Sequence, residues 1–310
     1  MAGIFVIGGT GLVGNALMRA WDRRGRRVVG ATFHCHPCPH FSRLDMQDER
    51  AVRRVLESLV PEVVAVPAAN PHVDYCELHP DETRRVNVAG TFNVARACQD
   101  IGARMIFFSS DYVFDGRKGV YKENDAVCPL NEYGRQKAEA EELVLAASSR
   151  NFVLRTAAAF GWQWEPKNFV LQVLGRLRAG AEVRAASDSR VTATYAENLA
   201  EVSVALSEKD RGGIFHVVGP DAASRHELAA MAAGCFGLDA SLVRAASISD
   251  FKSPARRPKE AILLTDKVRS CVDVPLLGAR QGLEHMRGFE PAWRAYAASH
   301  LPCMAARARA

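Results

Sequence analysis

The feature that most constrains this chain lies at its start. An apolar run, Ile4-Phe5-Val6-Ile7, stops at Gly8-Gly9-Thr10-Gly11-Leu12-Val13-Gly14. Gly8, Gly11 and Gly14 keep the spacing G-x-x-G-x-x-G between a short buried strand and a helical stretch, 15–24, that carries Leu17, Met18 and Trp21 on one side. Each glycine then has a reason: Gly8 permits a tight turn, Gly11 lets backbone approach a pyrophosphate, and Gly14 lets helix and strand pack closely. The phosphate would meet the positive N-terminus of the helix. A plain glycine turn is the bland alternative, and the strand before and helix after argue against it. The loop predicts a dinucleotide site, with Gly8, Thr10, Gly11, Leu12, Val13 and Gly14 as its residues.

Strand and helix patterns then alternate. Strands are expected at 28–33, 63–67, 105–109 and 152–156, and helices at 49–59, 81–101 and 132–147. Such alternation implies right-handed βαβ units and a parallel sheet. The expected class is α/β: a doubly wound, Rossmann-type parallel sheet for dinucleotide binding over residues 1–160. After Gly161 the pattern loosens, with helices expected at 168–179, 196–206 and 224–236 and a strand at 213–218. A smaller, mixed α/β substrate-binding region is expected over 161–310, and a segment at about 190–220 is expected to return and complete the first domain. The tail, 304–310, is expected to fray.

The second strand decides which dinucleotide. It ends Gly30-Ala31-Thr32-Phe33-His34, without the acid that would bind a ribose 2′-hydroxyl and repel a 2′-phosphate. That favours NADP, with NAD as the alternative. Thr32 and His34 could donate to the phosphate, Arg43 is a candidate cation, and Asp45 with Met46 suits the adenine side. The 40 basic and 35 acidic residues leave a net charge of +5, too small and too spread out for nucleic acid but suited to an anionic small molecule. No window of 18 apolar residues predicts a membrane helix, and the N-terminus lacks signal-peptide features. The eight cysteines are scattered; Cys98 and Cys235 read as buried free thiols, so a reduced, cytoplasmic chain is expected. His34-Cys35-His36-Pro37-Cys38-Pro39-His40 has zinc-like Cys spacing but no second ligand pair, so no metal is expected.

Tyr133 and Lys137 stand four apart on an expected helix and share a face. A nearby ammonium lowers a phenol's pKa and lets it exchange a proton near neutrality. Ser109-Ser110 follows a strand at the edge where open α/β sheets bind ligands, so a hydroxyl there can hold a carbonyl oxygen while Tyr133 protonates it. An exposed helix start with an ordinary Tyr and Lys is the alternative; Ser110 and the glycine loop speak against it.

With these pieces the chain resembles an extended short-chain dehydrogenase/reductase, and is most similar to the dTDP-4-dehydrorhamnose reductase group. The likeness rests on Gly8 to Gly14, Ala68-Ala69-Asn70, Val73-Asp74, Val86-Asn87-Val88-Ala89-Gly90-Thr91, Ser109-Ser110-Asp111-Tyr112-Val113-Phe114-Asp115-Gly116, Tyr133 to Lys137, Leu154-Arg155-Thr156, Val191 to Tyr195, Arg256-Arg257-Pro258 and Thr265-Asp266-Lys267. It covers roughly the first nine-tenths of the chain. It implies a triad of Ser110, Tyr133 as general acid and Lys137 as its pKa setter and ribose ligand. Ala68, Ala69 and Asn87 would lie on the cofactor side, Asp111, Tyr112, Val113 and Phe114 would line the substrate pocket, and Arg257 would lie near a sugar nucleotide. The implied reaction is NADPH-dependent reduction of a 4-keto group on a nucleotide-activated deoxysugar. An NAD-dependent epimerase or dehydratase, and a non-catalytic subunit like that of methionine adenosyltransferase, are the alternatives. Asn70 where threonine is common, Ala193 where proline is common, and Trp162-Gln163-Trp164 leave the substrate open. Homodimers are common among such folds, but no interface is legible here.

Overall fold

The computed structural model describes residues 3–33, 41–210 and 212–300. The chain begins β1 (Ile4–Ile7), α1 (Leu12–Arg23), β2 (Val28–Thr32), β3 (Phe41–Arg43), α2 (Glu49–Leu59) and β4 (Val63–Val66). It continues α3 (Val73–Leu78), α4 (Pro80–Arg84), a π turn (Arg85–Gly90), α5 (Thr91–Ile101), β5 (Arg104–Ser110), β6 (Gly119–Tyr121) and α6 (Glu132–Ala147). β7 (Phe152–Thr156), β8 (Ala159–Phe160), α7 (Phe169–Arg178), β9 (Val183–Ala186), β10 (Arg190–Thr192), β11 (Thr194–Tyr195) and α8 (Ala196–Ser207) follow. The last elements are β12 (Gly213–His216), β13 (Ala222–Ser224), α9 (Arg225–Cys235), β14 (Val243–Ala246), β15 (Glu260–Leu263), α10 (Asp266–Arg269) and α11 (Ala279–His300).

Alternation within the strands builds the architecture. Ile4, Val6, Val63, Ala65, Ile106 and Phe108 point into one core with Leu17 and Trp21 of α1 and Leu199 and Val202 of α8. Their neighbours Phe5, Ile7, Val64, Val66, Met105 and Phe107 point into a second core with Val52 and Leu56 of α2, Val94 and Cys98 of α5, and Val144 of α6. A sheet covered on both faces needs strands apolar at every position, which is what parallel pairing between helical layers requires. Full burial of each such side chain contributes about 1.5–3 kcal/mol.

The large sheet has the order β3-β2-β1-β4-β5-β7-β12, parallel throughout. The chain moves outward from β1 to β3 and then returns to the other side of β1 at β4, so the order reverses there. Ligands bind in such folds over the carboxyl ends of the strands at this switch point. This is the doubly wound α/β fold. β12 pairs with β7, and α8 packs on α1. A mixed sheet, β13-β10-β15-β6, and the pair β9–β14 make up the smaller region.

Several boundaries differ from the sequence reading for physical reasons. The helices expected to open at Asn168 and Ser224 start one residue later, because those side chains accept from Leu171 N and Glu227 N as N-caps. The single helix expected over 81–101 contains the π turn, whose extra residue places Asn87 and Val88 inside. α11, with 22 residues, was not expected. Trp162 Nε1 donates to Met286 O at 2.7 Å, and Trp162 stacks on Trp293 with 5.7 Å between ring centroids, which fixes this helix to the loop after β8. Cys98 and Cys235 are buried and free, and burial pushes the Cys98 thiol up to about 12. Among the described residues no helix is long and apolar enough to cross a membrane.

Candidate active site

The glycine loop is shaped by contacts that exclude side chains. Gly8 has φ +93°, and a Cβ there would meet Ala68 at 3.0 Å. Gly8 N donates to Ala31 O at 2.7 Å, so the turn is tied to β2. A Cβ on Gly14 would lie 2.1 Å from Gly8 O, which is why α1 can begin directly beneath the loop. Gly11 has ordinary φ at −74° and is the exposed N-cap of α1. That N-terminus has no side-chain cap and no acid in its first turn. Its N–H groups and dipole are therefore available to an anion. Leu12 and Val13 are half-buried against the first core.

Beside the loop, Thr10 Oγ1 and Thr32 Oγ1 share a hydrogen bond at 3.0 Å. Arg43 is the β3 register partner of Thr32 and lies over the Phe33 ring at 5.7 Å. The Thr32 hydroxyl, bonded to Thr10 of the loop, and the Arg43 side chain thus come from register partners at the ends of β2 and β3. Asp45 is folded back, its carboxylate accepting from Gln47 N at 2.9 Å, and Met46 is buried against Gly90. His34 and the whole Cys/His cluster lie outside the described residues. Ala68 donates its N–H to Ile7 O at 3.2 Å, closing the crevice between β1 and β4, and Ala69 is half-buried beside it. Asn87 accepts from Asn70 N at 2.7 Å and donates to Gln136 Oε1 at 2.8 Å. It ties the loop after β4 to α6.

The second group sits at the carboxyl end of β5. Ser110, the last residue of that strand, caps a 3₁₀ turn at Asp111–Val113. Asn131 caps α6 by accepting from Gly134 N at 2.9 Å. A Cβ on Gly134 would lie 2.1 Å from Tyr112 O, so glycine is what lets α6 press against the 3₁₀ turn. This brings Tyr133 beside Ser110 and edge-on to Tyr112, with ring centroids 6.0 Å apart. Lys137 is buried, and its Nζ donates to Phe108 O at 2.8 Å. Ser110, Tyr133 and Lys137 therefore converge.

The electrostatics correct one expectation. Tyr133 is pushed up, not down: burial dominates, and the carboxylate of Asp111 adds to it. The Lys137 ammonium is turned to the Phe108 carbonyl and does not offset these effects. Burial lowers Lys137 itself to about 8. Tyr133 thus rests firmly protonated, and Lys137 is charged at neutral pH.

A cleft of about 1030 Å³ opens beside Tyr112, between the loops that follow β5 and the smaller region. Seven Arg and Lys residues line it against one carboxylate, Asp115. Arg117, Lys167 and Arg184 share their charge with Asp115, Glu165 and Asp250. Arg257 holds Asp74 through both oxygens, at 3.1 and 2.8 Å, and this keeps the Asp74 carboxyl below the usual range. Arg225 lies over the Phe169 ring at 4.9 Å. Of the four residues expected to line the pocket, only Tyr112 does. Val113 and Phe114 are wholly buried in a core with Tyr121, Ala157 and Leu263, because the tight 3₁₀ turn sends them to its far side. Asp111 is buried behind Tyr112. Sequence reading placed Arg257 here but missed Arg225 and the rest of the basic wall, whose members are spread from 117 to 259.

A glycine cradle at the switch point of a parallel sheet, with Ser, Tyr and Lys converging at the end of β5, defines an extended short-chain dehydrogenase/reductase. The chain belongs to the family described as RmlD substrate binding domain, whose model matches residues 1–288. It is 31% identical over 277 residues to the probable low-salt glycan biosynthesis reductase Agl14 of Haloferax volcanii, covering 87% of this chain and 89% of the relative. It is 30% identical over 302 residues to dTDP-4-dehydrorhamnose reductase of Aggregatibacter actinomycetemcomitans, covering 93% and 99%. It is also 30% identical over 267 residues to methionine adenosyltransferase 2 subunit beta of Bos taurus, covering 84% and 79%. Among solved structures, a dTDP-4-dehydrorhamnose reductase ortholog from Clostridium acetobutylicum superposes with TM-score 0.85 at 26% identity, over 93% of this chain and 99% of that one. The enzyme of that name from Bacillus anthracis, in complex with NADP, has TM-score 0.85 at 24% identity, over 93% and 99%.

Proposed function

We propose that this protein is an NADPH-dependent reductase of a 4-keto group on a nucleotide-activated deoxysugar. The observation that carries this reading is the convergence of Ser110, Tyr133 and Lys137 beside a basic cleft large enough for a sugar nucleotide. The names of two relatives, a dTDP-4-dehydrorhamnose reductase and a glycan biosynthesis reductase, support it. The cradle fits a dinucleotide: Gly8 and Gly14 leave no room for side chains, and the N-terminus of α1 is uncapped. Thr10, Thr32 and Arg43 would hold a 2′-phosphate, which favours NADP over NAD.

When bound, the cofactor supplies the hydride. The chain's own residues do the rest. Tyr133 gives its phenolic proton to the carbonyl oxygen as negative charge develops there, and Ser110 orients that oxygen. Lys137 has three donors, of which the Phe108 carbonyl takes one; the others would be free to hold a ribose hydroxyl and to stabilise the phenolate that Tyr133 becomes. Arg225, Arg256 and Lys259 would meet the diphosphate, and Arg257, steadied by Asp74, would orient it. The test is consumption of NADPH with dTDP-4-dehydrorhamnose, compared with NADH and with other nucleotide sugars. Turnover only with a different carbonyl would overturn the substrate class.

The similarity to methionine adenosyltransferase 2 subunit beta supports a second reading, a non-catalytic binding subunit. NADPH binding without turnover of any keto-sugar, together with capture of a partner enzyme, would favour it.

A further inference from the structure

Between Tyr133 and Lys137 on α6 stands Gln136, which is 1% exposed. Its Nε2 donates to Thr83 Oγ1 at 2.9 Å and to Pro80 O at 3.1 Å, both on α4, with Glu132 Oε1 at 3.2 Å as a third acceptor. Its Oε1 accepts from Asn87 Nδ2 in the π turn at 2.8 Å. Asn87 in turn grips Asn70 from both sides: Nδ2 donates to Asn70 O at 3.2 Å, and Oδ1 accepts from Asn70 N at 2.7 Å. The polarity of this row is fixed at both ends. The Asn70 N–H can only donate, so Asn87 turns its oxygen to Asn70 N and its Nδ2 to Gln136. At the other end the Thr83 hydroxyl donates to His79 O at 2.9 Å, which leaves its oxygen to accept from Gln136. Thr83, Asn87 and Gln136 are all buried, and each of their polar side-chain atoms has a partner. A buried polar row satisfied in this way holds one geometry.

The row joins two parts of the site that have to stay in register. Asn70 follows Ala68, whose N–H closes the crevice between β1 and β4 beside the glycine cradle. α6 carries Tyr133 and Lys137, and through Gly134 it rests on the Asp111–Val113 turn. On the cofactor side Glu77 accepts from Glu132 N at the start of α6, and the exposed pairs Arg84–Glu139 and Arg135–Glu77 reach the helix from outside. Exposed pairs of that kind contribute little, so the buried row is what fixes the helix there. We propose that Gln136 is a positioning residue that holds Tyr133 and Lys137 at the level of the cofactor by locking α6 to the loop after β4. This rests on the reductase reading above. Gln136 itself touches neither substrate nor cofactor. Reduction needs the phenol within reach of the carbonyl oxygen while the hydride donor faces the carbonyl carbon, so both have to stand at matched distances. A displacement of about 1 Å costs on the order of a hundredfold in rate.

Gln136→Met keeps an unbranched, buried side chain and removes its hydrogen bonds. Hydrogen exchange without sugar, in the free protein and in its NADPH complex, tests the lock. The amides of Asn70 and of 135–138 should exchange faster together, by about tenfold, while β5 keeps its wild-type protection. Unchanged exchange at either segment overturns the lock. Faster exchange in β5 as well marks a general loss of stability and overturns it too. With NADPH and dTDP-4-dehydrorhamnose, kcat should fall by about 10- to 100-fold, with KM for the sugar and Kd for NADPH within about threefold. A kcat within about twofold of wild type, or a Kd for NADPH that rises as far as kcat falls, overturns the positioning role. Thr83→Val removes the acceptor at the end of the row. Alone it should lower kcat by a few-fold, and in Gln136→Met it should add nothing, because the two side chains act through one bond. Losses that multiply would contradict the row. Exchange as expected without sugar turnover by the wild-type protein supports the lock while the substrate reading fails.

Discussion

Gly14→Ala probes the cofactor cradle at its tightest point. The added Cβ would sit 2.1 Å from Gly8 O, 2.7 Å from Gly8 C and 3.0 Å from Gly9 Cα. Ordinary contact begins near 3.4 Å, so the Gly8 carbonyl has to retreat by about 1.3 Å. It cannot do so alone, because Gly8 is wedged against Ala68 and its N–H is tied to Ala31 O. The backbone that would face the pyrophosphate moves with it. Overpacking of this kind costs about 1–3 kcal/mol, which as lost binding energy weakens NADPH by roughly 5- to 150-fold in Kd. The assay is a fluorescence titration of NADPH, with thermal unfolding measured beside it. Gly175→Ala is the control: it lies in α7, and its Cβ would meet nothing within 4 Å. That change should leave Kd unchanged and raise stability by up to about 1 kcal/mol. Wild-type affinity in Gly14→Ala would refute the reasoning about the loop.

Three further outcomes follow from the geometry. Arg43→Ala should raise KM for NADPH by about tenfold and leave NADH nearly unaffected, since a charge-assisted contact to the 2′-phosphate is lost; equal effects on both cofactors would remove Arg43 from the site. Reduction should decline as pH rises through about 8, where buried Lys137 loses its charge, and a kcat profile flat to pH 10 would contradict its role. Glu141→Ala leaves Arg155, 2% exposed, without its carboxylate partner at 2.6 Å, and should cost about 3–5 kcal/mol in urea unfolding; a loss below about 1 kcal/mol would show that the pair is dispensable.

What was legible in the sequence was what repeats or is chemically rare. The parallel strands announced themselves because both faces are buried, so Phe5, Val64 and Phe107 sit in unbroken apolar runs. Helices with a polar face and a cap, such as α2 behind Asp48 and α6 behind Asn131, were placed to the residue. The strands of the smaller region are two to four residues long and carry no period, which hid them. α11 was masked by Gly282, Gly288 and Pro291 in a helix held by Trp162, Trp293 and the Rossmann core rather than by propensity. At the site, the spacing Tyr133-x-x-x-Lys137 was visible, but the direction of the tyrosine's shift was not. That direction depends on burial and on Asp111, twenty-two positions away in sequence and adjacent only in the fold. Phe114 looked like pocket lining because its neighbours do; only the 3₁₀ turn reveals that it faces the core.

The most direct measurement compares the wild-type protein with Tyr133→Phe in NADPH consumption with dTDP-4-dehydrorhamnose, alongside NADPH affinity. A reductase with Tyr133 as proton donor turns the sugar over, and the variant loses about 10²–10⁴-fold in kcat while its NADPH Kd stays within a few-fold. Full turnover in Tyr133→Phe would contradict the account.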